Sequence, residues 1–279
     1  MDWAWLPSGC TPDVRLTVAD GRFVDVTSGV RPQLGDEHLP GLVLPGLANT
    51  HSHAFHRALR GRTHSGGGSF WTWREAMYAV AARLSPDGYH ALSRAVFAEM
   101  VLSGITGVGE FHYVHHQPRG TPYDDPNAMG RAVIEAARVA GLRITLLDTC
   151  YLAGGLDKSG VLPLAGPQIR FGDGDGAKWA ARAESLGLDG HSPDAHGLIA
   201  PHARAGAAIH SVRAVPPEHM HPVVTWASRH NAPLHIHLSE QRAENDACRA
   251  VYGVSPTRLL YDEDVLGPRT TVVHATHLG

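Results

Sequence analysis

The sequence predicts an α/β protein whose main body is a (β/α)8 barrel that is incomplete in this chain. From residue 42 onwards, short apolar runs alternate with longer segments of helical periodicity. Such strand-then-helix units predict parallel strands joined by right-handed crossovers. About six of these units are present, whereas a closed barrel needs about eight. We therefore expect residues 44–279 to form a barrel that ends before strands seven and eight.

Residues 1–43 have a different pattern, which predicts β-strands without helices. Residues 14–27 alternate apolar and polar side chains around Asp20-Gly21, a dipeptide favoured in tight hairpin turns. Because an isolated two-stranded hairpin is marginally stable, we expect it to pack on strands from elsewhere in the chain. The expected domain boundary lies after residue 43.

The six barrel strands are expected at short apolar runs. These runs are Leu42–Leu47, Ile105–Phe111, Arg143–Asp148, Ala205–His210, Pro233–Leu238 and Thr271–His274. An apolar run at His196–Ala200 is an alternative for the fourth strand.

Helix signals fall between these runs. Ser85-Pro86-Asp87 is typical of a helix start, and Gly104 of the end of that helix. Pro126–Val139 and Pro217–His230 have the same character, whereas Ala153–Gly176 is rich in glycine and aspartate and predicts a long loop or excursion.

Composition excludes several classes of partner. The net charge is -3, so the chain has no basic field that would hold nucleic acid or an anionic membrane surface. No segment approaches the roughly 18 consecutive apolar residues of a membrane span. The start of the chain lacks the pattern of a secretory signal, which favours the cytoplasm. Histidine is abundant, with 20 residues against 24 lysines and arginines, and neutral imidazole is the commonest metal ligand.

Two pairs of histidines follow predicted strands. His51 and His53 come after the first strand, and His235 and His237 lie in the fifth. Side chains two residues apart on a strand point to the same face, so each pair can aim at one point above the barrel. A single pair would more often be surface or core histidines, but two pairs in one chain favour a metal site.

Two further residues lie at the same predicted edge. Glu240 follows the second histidine pair by three residues, and an unligated glutamate there could move protons between water and a leaving group. His274 ends the sixth strand, where it could hydrogen-bond a developing negative charge.

These strand ends resemble those of the amidohydrolase superfamily. Four motifs are similar, more closely, to the formimidoylglutamate deiminases, and the resemblance runs along essentially the whole chain. The motifs are HSHAFHRA at 51–58, FWTWRE at 70–75, EFHYVHH at 110–116 and HSVRAV at 210–215. The fold implied by the resemblance is a TIM-type barrel of the amidohydrolase kind, with the N-terminal strands belonging to a small β-sandwich domain.

The resemblance also implies roles for ten residues. His51, His53 and His237 correspond to metal ligands, Glu240 to the proton shuttle and His274 to the histidine beside the reactive water. The residues at substrate-binding positions are His56, Arg74, Tyr113, His210 and Arg213. His56 stands where many relatives are expected to have glutamine, and His235 is left as a supporting or packing residue.

The implied reaction is hydrolysis of N-formimidoyl-L-glutamate to N-formyl-L-glutamate and ammonia. It requires one divalent metal ion. Zinc is the expected ion, and iron or manganese would also be compatible. Two arginines suit this substrate because guanidinium groups bind carboxylates in bidentate fashion. A small molecule is the expected partner, and a homodimer is compatible with the sequence but not required by it.

One feature of the family is absent from the sequence. The aspartate ligand expected at the end of strand eight has no counterpart, so the chain is expected to be an inactive or poorly folded piece unless another polypeptide supplies the rest. Two alternatives therefore remain: a related aminohydrolase for guanine, cytosine or a triazine, and a non-catalytic metal-binding fragment.

Overall fold

The structure is a computed structural model that describes residues 1–63, 70–187 and 201–278. It divides into two compact units, Met1–Leu47 and Ala48–Gly279.

The first unit consists of short β-strands. These are β1 (Trp3–Leu6), β2 (Gly9–Pro12), β3 (Arg15–Ala19), β4 (Arg22–Thr27) and β5 (Leu42–Val43). β1 pairs antiparallel with β2 and parallel with β5. β3 and β4 form the predicted hairpin. Asp20 and Gly21 both have positive φ at its turn, as a type I′ turn requires.

The second unit is built on a parallel sheet. Its strands in chain order are β6 (Leu47–Ser52), β7 (Ile105–His112), β8 (Arg143–Cys150), β9 (Gly155–Asp157), β10 (Gly160–Leu162), β11 (Ala203–Ile209), β12 (Leu234–Leu238) and β13 (Thr270–His274). All except β9 and β10 form one six-stranded sheet, in the order β6-β7-β8-β11-β12-β13. The order in the sheet is the order in the chain, as in a (β/α) barrel, so the predicted fold class is confirmed.

Helices connect the strands of this sheet. They are α1 (Phe70–Ala81), α2 (Pro86–Leu102), α3 (Ala128–Ala140), α4 (Gly176–Glu184), α5 (Met220–Arg229), α6 (Arg242–Tyr252) and α7 (Pro256–Asp262). α2 begins as predicted, because the Ser85 hydroxyl accepts a hydrogen bond from the Gly88 N–H. Among the described residues, no helix has both the length and the apolar character needed to cross a bilayer.

The position of the first barrel strand needs correction, whereas the expectations for two later segments agree with the structure. The first barrel strand is Leu47–Ser52 and not Leu42–Leu47, because Pro45-Gly46 interrupts the run and proline has no N–H for a ladder. The stretch Ala153–Gly176 is an excursion, but it contains the β9–β10 hairpin and a 3-10 helix, Gly166–Arg170. The fourth strand of the sheet is Ala203–Ile209; its alternative, His196–Ala200, lies outside the described residues.

A buried charge cluster joins α4 to the end of β8. The Arg182 guanidinium donates to both oxygens of Asp148 at 2.8 Å and to Asp173 at 2.8 and 2.9 Å. The side chains of these three residues are only 2–6% exposed. His116 lies 3.0 Å from Asp173, and the Trp179 indole N–H donates to Asp148. Charges this deep are stable only because each has its partner.

Candidate active site

Three imidazoles converge at the carboxyl edge of the parallel sheet. β6 carries His51 and ends one residue before His53, and β12 carries His237. Their Nε2 atoms lie 3.1 Å apart for His51 and His53, and 3.3 Å apart for each of the other two pairs. In the described part of the chain, these residues form the one group of histidine, cysteine or carboxylate side chains that could hold a metal ion.

Hydrogen bonds to the backbone fix the protonation of two of these rings. His53 Nδ1 lies 3.1 Å from the Phe111 carbonyl, and His237 Nδ1 lies 2.9 Å from the His210 carbonyl. A carbonyl only accepts, so both Nδ1 atoms must donate, and both Nε2 atoms of the neutral rings present lone pairs. Two lone pairs facing each other cannot hydrogen-bond. A cation between them removes the conflict, so the donor set fits a metal ion.

Burial keeps the three rings neutral. It is the main reason that the pKa of His51 is lowered to about 4, with the nearby His235 and His274 adding to the effect. Burial likewise lowers the pKa of His53 and of His237 well below the usual range. Neutral imidazole is the form that binds metals, so the rings are ready to act as ligands at neutral pH.

Glu240 and His274 lie beside the three imidazoles. Glu240 Oε1 is 3.9 Å from His274 Nε2, and the His274 ring stacks on His237 at 5.4 Å. Ser239, directly before Glu240, and His274 have φ values of 49° and 69°. Left-handed backbone at residues other than glycine costs on the order of 1–2 kcal/mol each and is concentrated at functional sites.

All ten predicted site residues line one cavity of about 530 Å³. The structure thus brings together the three histidines, Glu240 and His274 with the five residues assigned to substrate binding. Among the latter, His56 Nε2 lies 2.8 Å from the Tyr113 hydroxyl, and its ring stacks on His53 at 4.4 Å. The His210 ring lies 5.4 Å from the Tyr113 ring.

Neither arginine of the cavity is a solvated surface charge. Arg74 donates from Nε to the Tyr78 hydroxyl at 2.7 Å and from Nη2 to the Gly154 carbonyl at 3.0 Å. Arg213 donates from Nε to the buried Glu244 at 2.9 Å, and its Nη2 lies 3.6 Å from Glu240 Oε2. Both guanidinium groups are therefore held in place at the cavity wall.

Comparison with known families identifies this arrangement. Residues 42–279 match the model of the amidohydrolase family. The chain belongs to the amidohydrolase family. Residues 2–39 match the N-terminal domain of formimidoylglutamate deiminase HutF. Members of the amidohydrolase family are metal-dependent, in agreement with the three converging histidines.

Individual relatives agree with this membership. Formimidoylglutamate deiminase of Pseudomonas aeruginosa is 39% identical over 281 residues, covering 98% of this chain and 58% of the relative. 8-oxoguanine deaminase of the same organism is 29% identical and covers 94% of this chain and 56% of the relative. The crystal structure of an amidohydrolase from Brucella melitensis has a TM-score of 0.86 and 34% identity, covering all of this chain and 60% of that one. The chain thus spans somewhat more than half the length of these relatives.

Glu110 is a fully buried carboxyl group next to the histidine pair, and its role was not predicted from the sequence. Glu110 accepts a hydrogen bond of 2.6 Å from the Ala54 N–H, directly after His53. Burial raises its pKa to about 8, against the opposing effect of hydrogen bonds from Ala54 and Ser52. Glu110 therefore fixes the backbone turn that presents His53.

Other cavity residues gave no sequence signal. Tyr151 follows β8, and together with Thr63 and Met77 it lines the cavity. Gln168 lies behind this wall in the Gly166–Arg170 helix, and its side-chain nitrogen is 2.9 Å from the Tyr78 hydroxyl and 3.1 Å from the Tyr151 hydroxyl. Thr63, Tyr151 and Gln168 come from loops and a 3-10 helix, where no regular period marks a side chain as facing a site, whereas Met77 lies in α1.

Proposed function

We propose that this chain carries the metal-dependent hydrolytic centre that converts N-formimidoyl-L-glutamate and water to N-formyl-L-glutamate and ammonia. The observation that carries the proposal is the convergence of three neutral imidazoles, a glutamate and two anchored arginines on one cavity. The 39% identity to a formimidoylglutamate deiminase supports the choice of substrate.

The ion is held in this proposal by the Nε2 atoms of His51, His53 and His237. Zinc is the first choice for such nitrogen ligands, and iron or manganese would be compatible with them. A divalent cation supplies Lewis acidity, which makes a water molecule acidic enough to attack near neutral pH.

Proton transfer falls to Glu240 in this proposal. The carboxylate takes a proton from the attacking water and delivers it to the formimidoyl nitrogen, so that ammonia and not an amide anion leaves. His274, 3.9 Å from Glu240, donates a hydrogen bond to the oxygen that adds to the formimidoyl carbon, where negative charge develops.

Substrate binding is assigned to the remaining five residues. Arg74 and Arg213 pair with the two carboxylates, while Tyr113, His210 and His56 supply polar contacts along the cavity wall. Arg213 must divide its N–H groups between substrate and Glu244, which already accepts from Nε.

The proposal also includes a cytoplasmic location and a homodimer. Light scattering would test the homodimer.

A purine-type deaminase is the alternative, since an 8-oxoguanine deaminase is also similar to this chain. A flat neutral base needs no pair of arginines, so the arginines favour the dicarboxylate.

The test is ammonia release by the zinc-loaded chain from N-formimidoyl-L-glutamate and, separately, from 8-oxoguanine. We expect release from the former once a second polypeptide supplies the strand-eight aspartate, and an Arg74→Leu variant should then raise KM at least tenfold while Arg94→Leu, at an exposed position of α2, leaves it unchanged. Release from 8-oxoguanine alone would support the purine deaminase, and release from neither substrate would contradict catalysis.

A further inference from the structure

One wall of the cavity contains two tyrosines to which the proposed function gives no role. Tyr78, from α1, and Tyr151, after β8, both line the cavity, and their hydroxyl oxygens are 3.5 Å apart. Gln168 lies behind them and is only 6% exposed. Arg74 Nε donates to the Tyr78 hydroxyl, and Arg74 Nη2 donates to the Gly154 carbonyl that Gln168 also faces.

Gln168 is oriented by a glycine carbonyl. Its Nε2 lies 2.9 Å from the Gly154 carbonyl, 2.9 Å from the Tyr78 hydroxyl and 3.1 Å from the Tyr151 hydroxyl. Because a carbonyl only accepts, the side-chain nitrogen and not the oxygen must face this cluster. A Cβ on Gly154 would lie 2.2 Å from the Pro163 carbonyl oxygen, so the close approach requires glycine at this position.

The hydrogen-bond count leaves at least one of the two tyrosine hydroxyl protons without an acceptor among the described residues. The Tyr78 oxygen accepts from Arg74 Nε at 2.7 Å. The Gln168 side-chain amide has two protons, so it donates to the Gly154 carbonyl and to one of the two tyrosine hydroxyls at a time. The Tyr151 oxygen also faces Gln168. The two phenols carry one proton each, and among the described residues their hydroxyl protons have no acceptor other than each other. At most one can be used in that way, so at least one remains for a ligand.

Such a donor, beside a guanidinium, suits an anion with two oxygens. Burial raises the pKa of Tyr78, so its phenol stays protonated and can donate throughout the neutral range. Hydrogen bonds between a donor and a charged acceptor are about twice as strong as neutral ones.

We propose that Tyr78 and Tyr151, oriented by Gln168, form with Arg74 a receptor for one carboxylate of the substrate. The identity of that substrate rests on the proposed function, but the chemistry recognised, a carboxylate, does not. Tyr78 and Tyr151 are thus specificity-determining residues, and Gln168 is a positioning residue.

Direct binding of a dicarboxylate tests the receptor without catalysis. Glutarate is titrated calorimetrically into the zinc-loaded chain and into the Tyr78→Phe, Tyr151→Phe and Gln168→Leu variants. We expect the Kd to rise about 10- to 100-fold for at least one tyrosine variant, as for loss of a hydrogen bond to a charged group, and to rise for Gln168→Leu as well. Tyr252→Phe is the matched control, since the Tyr252 hydroxyl is buried without a hydrogen-bond partner in the described structure. Absence of glutarate binding, or equal affinities in all variants, would overturn the proposal.

Kinetics with truncated substrates separates recognition from a general structural effect. The substrates are N-formimidoyl-L-glutamate, N-formimidoyl-glycine and N-formimidoyl-4-aminobutyrate, of which the last two each lack one carboxylate. The tyrosine variant that weakens glutarate binding should lower kcat/KM for the diacid and for one monoacid, mainly through a higher KM. Its kcat/KM for the other monoacid should equal that of the wild type. An equal loss for all three would refute the receptor.

The two experiments also distinguish the receptor from the reaction. Variant-dependent glutarate binding without ammonia release would contradict the proposed function and leave the receptor standing. Ammonia release that no variant alters would contradict the receptor alone.

Discussion

Removal of the Arg182 charge should destabilise the second unit strongly. Arg182→Met keeps most of the side-chain length but leaves Asp148 and Asp173 buried without their shared cation. Loss of one partner of a buried ion pair costs about 3–5 kcal/mol. For a unit of this size, that corresponds to a Tm lower by roughly 6–20 °C.

The matched control lies on the protein surface. Arg258 Nε lies 2.9 Å from Asp262 Oδ1, a distance similar to those in the Arg182 cluster, but the two side chains are 62% and 40% exposed. Arg258→Met should therefore leave Tm unchanged. The assay is thermal unfolding followed by circular dichroism, with both variants and the wild type in one buffer. Equal Tm values for the two variants would refute the claim that burial makes the Arg182 cluster important.

The pH dependence of the same experiment has a defined sign. Burial alone would raise the pKa of Asp148 and of Asp173, but the charge and hydrogen bonds of Arg182, with His116 on Asp173, hold both pKa values below the usual range. Their contribution to stability is therefore present above the unfolded value of about 3.9 and is lost as the pH falls below it. The difference between wild type and Arg182→Met should shrink from pH 7 to pH 3. A difference that stays constant would contradict the assignment.

Three further outcomes are expected. Glu240→Gln should reduce kcat by about 10²- to 10⁴-fold, as for a lost general acid–base group, without altering metal content measured by plasma emission; unchanged turnover would remove Glu240 from proton transfer. His237→Ala should weaken zinc binding at least tenfold in a competitive chelator titration, whereas His277→Ala should not, and equal affinities would contradict the ligand set. Gly154→Ala should raise KM at least tenfold in the ammonia-release assay, because its Cβ would lie 2.2 Å from the Pro163 carbonyl oxygen; an unchanged KM would show that the wall tolerates the methyl group.

The sequence predicted the convergence of the histidines because strand geometry is simple. Side chains alternate along a strand, and the carboxyl ends of parallel strands share one edge of a sheet. His53 and His237 are 184 residues apart in sequence, yet their Nε2 atoms lie 3.3 Å apart. Placing both on the ends of parallel strands was sufficient to bring them together, without any knowledge of the loops.

The sequence predicted less where the chain leaves the regular elements. The first strand was placed too early because the apolar run continues across Pro45-Gly46, and apolar character alone does not reveal the break. The Gln168 contacts with Tyr78 and Tyr151 depend on how the Ala153–Gly176 excursion folds back. Such contacts between irregular segments have no period from which they could be predicted.

The ion pair between Arg213 and Glu244 was equally impossible to predict from the sequence. Arg213 was predicted as a carboxylate clamp for substrate, and the structure adds a buried carboxylate, Glu244, that holds its Nε. An arginine and a glutamate 31 positions apart give no sequence signal of their pairing, because surface charges at similar spacing are common. The pairing became visible only from the positions of β11 and α6.

X-ray absorption at the zinc edge tests the shared metal site most directly. On the zinc-loaded chain, we expect scattering from three imidazole nitrogens at about 2.0–2.1 Å, falling to two in the His237→Ala variant. A spectrum without imidazole scattering, or one that His237→Ala leaves unaltered, would contradict coordination of one cation by His51, His53 and His237.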